Sequence, residues 1–62
     1  MWFVFFSTSD VFKAEELLIE ADINCKIVPT PVQDKAYCGV CVETENEVAG
    51  SILNGLEYKL IK

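Results

Sequence analysis

The chain has 62 residues, of which 52% are hydrophobic, and its ten acidic and five basic residues give a net charge of −5. This composition excludes disorder, and without clustered Lys or Arg we expect no nucleic-acid partner. The length predicts a single domain over residues 1–62, of the size that buries only about 60% of its unfolded surface. So many apolar residues exceed what one small core can hold, and we therefore expect a homo-oligomer, a dimer or higher.

The chain contains no His and no Arg. This excludes a Ser-His or Cys-His dyad and any His-bearing metal site within the chain, and we expect neither a metal nor another cofactor. Met1–Phe6 is apolar, but it carries no basic side chain and is followed by the polar run Ser7–Asp10, so it does not match a signal peptide. No apolar run approaches the length of a membrane span. We therefore expect a cytoplasmic protein with reduced thiols and no membrane partner.

The first predicted elements are a strand and a helix. Trp2–Phe6 is a run of five apolar, β-prone residues, and because both of its faces are apolar we predict a central strand. Ser9 or Thr8 is the predicted N-cap of a helix that runs to about Ala21. The residues at helical spacing predict its buried stripe, which consists of Val11, Ala14, Leu17, Leu18 and Ala21.

The middle of the chain predicts two strands around a proline-bounded connection. Cys25–Val28 is a short strand that ends at Pro29, which cannot continue a ladder. Pro29–Pro31 is extended chain that leads into a short connection over residues 32–36. Tyr37–Glu43 is the next predicted strand. Its Gly39 predicts a close backbone approach, a bulge or a positive φ.

The last third of the chain predicts a second helix and a final strand. Thr44–Glu47 matches the Ser/Thr-x-x-Glu capping box, and Gly55 fits a helix stop. Gly50 lies inside the predicted helix and indicates close helix packing. Glu57–Ile61 alternates as a last strand. The predicted inward side chains of these two elements are Val48, Ile52, Leu53, Leu56, Tyr58 and Leu60.

The resulting order is strand, helix, strand, strand, helix, strand. It predicts an α+β, ferredoxin-like βαββαβ domain with a four-stranded antiparallel sheet and two helices on one face. The other sheet face would be open, which suits dimerisation.

Cys38 and Cys41 form a Cys-x-x-Cys motif, which invites a dithiol redox interpretation with Cys41 as the resolving thiol. However, the following residues predict a strand, whereas a redox motif places its first Cys at a helix N-terminus. Strand positions three apart point to opposite faces, so pairing requires a bend at Gly39. For Cys25, and for Cys41 outside a dithiol, the simplest interpretation is a buried thiol that behaves as a small hydrophobe.

Cys38 differs from the other two cysteines because it follows a loop, where a partner could reach its thiol. Gly39 leaves room beside it, and Lys35 is near enough in sequence to favour the thiolate. An exposed Cys of no chemical consequence is the alternative.

Several segments resemble a family of small bacterial proteins described as selenium/sulfur carrier-like. The matching residues are the strand end Ile27–Pro31, the motif Cys38–Val40, the helix segment Lys13–Leu18 and its turn Ala21–Ile23. The spacing from Pro31 to Cys38 also matches, and the resemblance covers nearly the whole chain. In two places the chain departs from the family pattern. Val32 stands where the family usually has Arg, and residues 35–37 replace a Ser-rich approach to the cysteine, so both changes argue against an oxyanion substrate.

The resemblance implies a carrier rather than an enzyme. Cys38 would hold sulfur or selenium as a persulfide or selenopersulfide, receive it from a donor protein and hand it to a partner enzyme. The residues that we assign to binding around it are Pro29, Thr30, Pro31, Lys35 and Gly39. Two other functions stay open, namely a non-enzymatic oligomeric interaction module and a Cys-x-x-Cys dithiol redox protein.

Overall fold

A computed structural model describes residues 1–31 and 36–62 of the chain. Its elements follow the predicted βαββαβ order, so the ferredoxin-like prediction is confirmed. The elements are β1 (Trp2–Phe5), α1 (Thr8–Glu20), β2 (Lys26–Pro29), β3 (Val40–Glu43), α2 (Ala49–Ile52) and β4 (Tyr58–Ile61).

The four strands form one sheet in the order β2-β3-β1-β4, and each neighbouring pair is antiparallel. Phe3 of β1 lies opposite Val42 of β3 and Leu60 of β4, and opposite residues share a face of the sheet. On this face Phe3, Phe5 and Val42 join the buried core with the inward residues of α1 and α2. Both helices therefore cover the same side of the sheet.

The first helix begins one or two residues earlier than the sequence predicts. Its N-cap is Ser7, whose Oγ accepts the Asp10 N–H at 3.4 Å, and not Ser9 or Thr8. The sequence pattern cannot choose among these neighbouring hydroxyl residues. The backbone geometry does, because Ser7 has the extended conformation that an N-cap residue requires.

At the other end of α1, Asp22 has a φ of 61° and the Ile23 N–H reaches back to the Leu18 carbonyl at 2.9 Å. This is a Schellman motif, in which an αL residue ends the helix and the next apolar residue packs beneath it. Val11, Ala14 and Leu18 are buried as predicted. Ala21 is exposed instead, because it is the C-cap rather than a residue of the helix.

The second helix is much shorter than predicted, and its capping-box prediction is wrong. The Thr44 hydroxyl donates to the Asn24 carbonyl at 2.7 Å and accepts the Asn46 N–H at 3.3 Å, so it holds the β3 end to the turn after α1. The N-cap is Val48, which makes no side-chain cap and is 57% exposed rather than inward. Leu53 is buried as predicted.

Three strand predictions also change at their ends. β1 ends at Phe5, and Phe6 lies beyond it with half of its surface exposed. Pro29 is the last residue of β2, where it pairs with Val40 at the edge of the sheet and its missing N–H costs no ladder bond. β3 begins only at Val40, three residues later than predicted.

Leu60 of β4 faces the helices as predicted. Its side chain is nevertheless 39% exposed, because α2 is only one turn long.

The helix-free face of the sheet is covered at its centre, which corrects the prediction of an open face. Val4 and Cys41 lie opposite each other on that face, and neither has any exposed surface. Tyr37 lies on the same side, with its ring centroid 4.9 Å from that of Phe6 and 6.0 Å from Lys59 Nζ. The end of the β2–β3 connection therefore folds over this face.

The glycine predictions are also corrected. Two of the three explanations for Gly39 are wrong, because its φ is not positive and no described atom lies within 4 Å of the position that a Cβ would take. The third explanation, a bulge, stays a prediction. At Gly50 the close neighbour is the Tyr58 hydroxyl, at an ordinary 3.5 Å, and not a helix.

Among residues 1–31 and 36–62, no helix is long and apolar enough to cross a lipid bilayer.

Candidate functional site

Cys38 is held in place through its backbone. Its N–H donates to the Phe5 carbonyl at the end of β1 at 3.0 Å. Its own carbonyl accepts the Thr30 hydroxyl at 2.8 Å, and the Thr30 N–H donates to the Gly39 carbonyl at 3.0 Å. Thus the ends of β1 and β2 fix the Cys38-Gly39 peptide from two sides.

The Cys38 side chain is half-buried and packs against the helix-facing core. Its Sγ–H donates to the Val40 carbonyl at 2.9 Å. A reaction at sulfur must release this hydrogen bond, which a χ1 rotation of the side chain can do without moving the fixed backbone.

Cys41 has the opposite environment, although it is only three residues away. It faces the helix-free side of the sheet, is fully buried, and has its Sγ 3.9 Å from the Pro29 carbonyl. Burial raises the pKa of the Cys41 thiol, the nearby Thr30 side chain lowers it, and the charges of Cys38 and Glu43 add to the increase. All three cysteines are free thiols, and whether Cys41 resolves an oxidised Cys38 stays a prediction.

Cys25 lies directly before β2, at the end of the strand away from Thr30, and is half-buried. Burial raises the pKa of its thiol, and the carboxylate of Glu15 raises it further. It lines a cleft of about 510 Å³, together with Asp22, Asn24, Lys26, Glu43, Thr44, Glu45 and Asn46. The carboxylate that disfavours a thiolate at Cys25 is that of Glu15 on α1, which is not among the residues that line this cleft.

The remaining predicted site residues surround Cys38 unequally. Thr30 contacts its backbone directly, while Pro31 is exposed and Pro29 supplies the carbonyl next to Cys41. Lys35 lies outside the described residues, as does Val32. Within the described part of the chain, no group of three acidic or cysteine side chains could hold a metal ion.

The structure adds neighbours that sequence patterns did not identify. Phe5 contributes through its carbonyl, and a backbone acceptor leaves no signal in residue type. Tyr37 precedes Cys38 in the chain, and Phe6 follows Phe5, whose carbonyl accepts the Cys38 N–H. The rings of Phe6 and Tyr37 stack on each other, and Lys59 lies beside them. The only sequence signal for this aromatic pair was position, because Phe6 ends the first predicted strand and Tyr37 begins the third.

These features define a ferredoxin-like α+β domain whose candidate site is one half-buried thiol fixed by backbone hydrogen bonds. The chain belongs to the family described as "Putative Se/S carrier protein-like", whose model matches residues 1–62, the whole chain. The resemblance in the sequence is thereby confirmed. Neither the curated proteins nor the solved structures gave a match.

Proposed function

We propose that this protein is a thiol carrier in which Cys38 accepts sulfur or selenium from a donor and passes it to a partner enzyme. The observation that carries the proposal is the contrast between Cys38, half-buried and fixed by its backbone, and the other two thiols. Membership in the carrier-like family supports the same function.

The other two thiols are poorer nucleophiles for physical reasons. Cys41 has no exposed surface, and burial raises its pKa. Cys25 is half-buried, but burial and the Glu15 charge raise its pKa. The thiolate is the reactive form of cysteine, so a raised pKa lowers the reactive fraction near neutral pH.

The loading step needs no external oxidant. The Cys38 thiol loses its proton to solvent, and its sulfur attacks the outer sulfur of a donor persulfide, R–S–SH. A new S–S bond forms at Cys38 while the donor's S–S bond breaks, and its electron pair leaves with the donor thiolate, R–S⁻. Delivery is the same exchange with the acceptor as nucleophile, and a donor R–S–SeH would load selenium in the same way.

The described surroundings of Cys38 give little support to an oxyanion cargo. The chain has no Arg to clamp an anion in a bidentate manner. Three free thiols also suit a reducing compartment, so the proposal includes the cytoplasm as the place of action.

The test is to expose reduced protein to a small persulfide donor and to map the added mass by peptide analysis. We expect a gain of about 32 Da, one sulfur atom, on the peptide that holds Cys38, and its loss when a second thiol acceptor is added. No gain, or equal gain at Cys25, Cys38 and Cys41, would overturn the proposal. A loss of about 2 Da with both Cys38 and Cys41 in one cross-linked peptide would instead indicate a dithiol redox protein.

A second proposal, self-association, rests on the surface of the helix-free face. Phe6 is 50% exposed there beside Tyr37, in a chain whose apolar content exceeds the needs of one small core. We expect sedimentation velocity to show a dimer or higher that Phe6→Glu dissociates. Phe12→Glu, at an equally exposed site on α1, is the matched control. A monodisperse monomer would contradict this proposal without affecting the carrier function.

A further inference from the structure

We infer that Thr30 is a positioning residue for the Cys-x-x-Cys motif. It keeps the Cys38 thiol accessible to a reaction partner and the Cys41 thiol covered. The inference deepens the proposed carrier function and rests on it for its biological meaning. Its physical basis is a pair of hydrogen bonds from one residue to two successive carbonyls, which stands independently of that function.

Thr30 follows directly after β2, and its two donors reach the two residues before β3. The hydroxyl donates to the Cys38 carbonyl at 2.8 Å, and the N–H donates to the Gly39 carbonyl at 3.0 Å. Together they extend the β2–β3 pairing beyond Pro29 and Val40, the last pair of the ladder. A side-chain donor is needed for the first of these bonds because the backbone of Thr30 has only one N–H.

The same residue lies beside the second thiol. The Cys41 Sγ is 3.9 Å from the Pro29 carbonyl. Cys41 also pairs with Val28, and Thr30, two residues further along the same edge of the sheet, lies on the same side as Val28 and Cys41. Cys41 has no exposed surface although it points away from the helices. Tyr37, which precedes the residue whose carbonyl Thr30 holds, lies on the same side of the sheet, beside Phe6 and near Lys59, the partner of Val4. The segment that Thr30 fastens therefore covers part of the sheet face that Cys41 shares.

Fastening this segment has opposite effects on the two sulfurs. It fixes the backbone of Cys38 at the edge of the covered region, where the thiol is half-buried. It keeps Cys41 out of contact with solvent, so sulfur loaded at Cys38 does not meet a competing exposed thiol three residues away. Loosening it would raise the local opening that exposes Cys41.

The test compares Thr30→Val, which removes the hydroxyl and keeps the shape, with Thr30→Ser, which keeps the hydroxyl. The readout is the ratio of iodoacetamide labelling at Cys38 to that at Cys41, measured on each folded variant by peptide mass. We expect Thr30→Val to lower the ratio about fivefold through the loss of one hydrogen bond, and Thr30→Ser to restore it. Faster amide exchange at the Cys38 N–H should accompany the change.

Thr44→Val is the matched control. Thr44 also donates its hydroxyl to a backbone carbonyl, that of Asn24 at 2.7 Å, but it lines the cleft beside Cys25. We expect it to lower the melting temperature and to leave the labelling ratio within about twofold. An unchanged ratio in Thr30→Val, or an equal fall in Thr44→Val, would overturn the inference. Because alkylation needs no persulfide, a wild-type protein that fails to load sulfur would end the carrier proposal while this test still decides the role of Thr30.

Discussion

Cys38 and Cys25 lie near opposite ends of β2, and the two thiols differ in their surroundings although they are similarly exposed. Both side chains are half-buried, and both pack against the helix-facing core. Exposure therefore does not distinguish them. Their surroundings do, because the first is fixed by backbone hydrogen bonds and the second sits among carboxylates.

The charge difference follows from the topology. The turn after α1 and the end of β3 meet around Cys25, and they bring Asp22, Glu43 and Glu45 into one cleft. At the other end of β2, the described neighbours of the Cys38 backbone are carbonyls, a hydroxyl and aromatic rings. Burial and the Glu15 charge raise the pKa of the Cys25 thiol, which also lies beside this acidic cleft, whereas these described neighbours of the Cys38 backbone include no carboxylate.

The largest expected effect is the loss of sulfur loading in Cys38→Ser. We expect uptake from a persulfide donor to fall by about 100-fold or more, because hydroxyl oxygen cannot form the persulfide. Cys25→Ser should load at nearly the wild-type rate. Quantifying the persulfide per chain in both variants checks the comparison, and equal losses in the two would show that neither thiol is special.

Much of the fold was predictable because it depends on strong local patterns. The apolar run of β1 and the 3.6-residue spacing of Val11, Ala14 and Leu18 are set by the sequence itself, and both were confirmed. The second helix was not predictable in the same way. Thr44 matches a capping box, but its oxygen accepts the N–H of Asn46, two residues on, while its hydroxyl donates to Asn24, and the helix begins only at Ala49 and is one turn long.

The candidate site shows the same division. Cys38 stood out in the sequence by its position after a loop, and the role of Thr30 could only be suspected from its place in the Pro-Thr-Pro segment. The hydrogen bonds from Thr30 and to Phe5 depend on which strand ends meet, and the sheet order decides that. The acidic cleft at Cys25 was also missed, because its carboxylates are up to 23 positions apart in the chain, from Asp22 to Glu45.

Removing a charge near Cys25 should weaken the contrast between the two thiols. Glu15 raises the pKa of Cys25, second to burial, so Glu15→Gln should lower that pKa and increase the reactive thiolate fraction. We expect iodoacetamide labelling of Cys25 at neutral pH to rise about threefold, since the burial contribution persists. Labelling of Cys38 serves as the internal reference. A Cys25 rate that stays constant would mean that burial alone sets its reactivity.

The raised thiol pKa values also predict how stability depends on pH. In the folded chain Cys25 and Cys41 hold their protons above the usual thiol value of about 9, whereas the unfolded chain loses them there. Their contribution is thus fully present below about pH 9 and is lost as the pH rises through the folded pKa values. Urea unfolding should give a shallower decline above pH 9 in Cys25→Ser than in Cys38→Ser. Parallel declines in the two variants would remove the proposed difference in environment.

The smallest expected effect concerns Lys26, the one cation among the residues that line the Cys25 cleft. Its Nζ lies 3.2 Å from Glu43 Oε1, but its side chain is 70% exposed, so Lys26→Gln should change the free energy of unfolding by less than about 0.5 kcal/mol. The loss of a nearby positive charge should nevertheless leave the cleft with more net negative charge. This raises the pKa of the Cys25 thiol, lowers its thiolate fraction and slows its labelling by about twofold. Lys59→Gln, on β4 near Tyr37, is the control and should leave Cys25 unchanged. Faster labelling in Lys26→Gln would show that the ammonium group shields Cys25 sterically, and the electrostatic explanation of the contrast would then have to be abandoned at this end of β2.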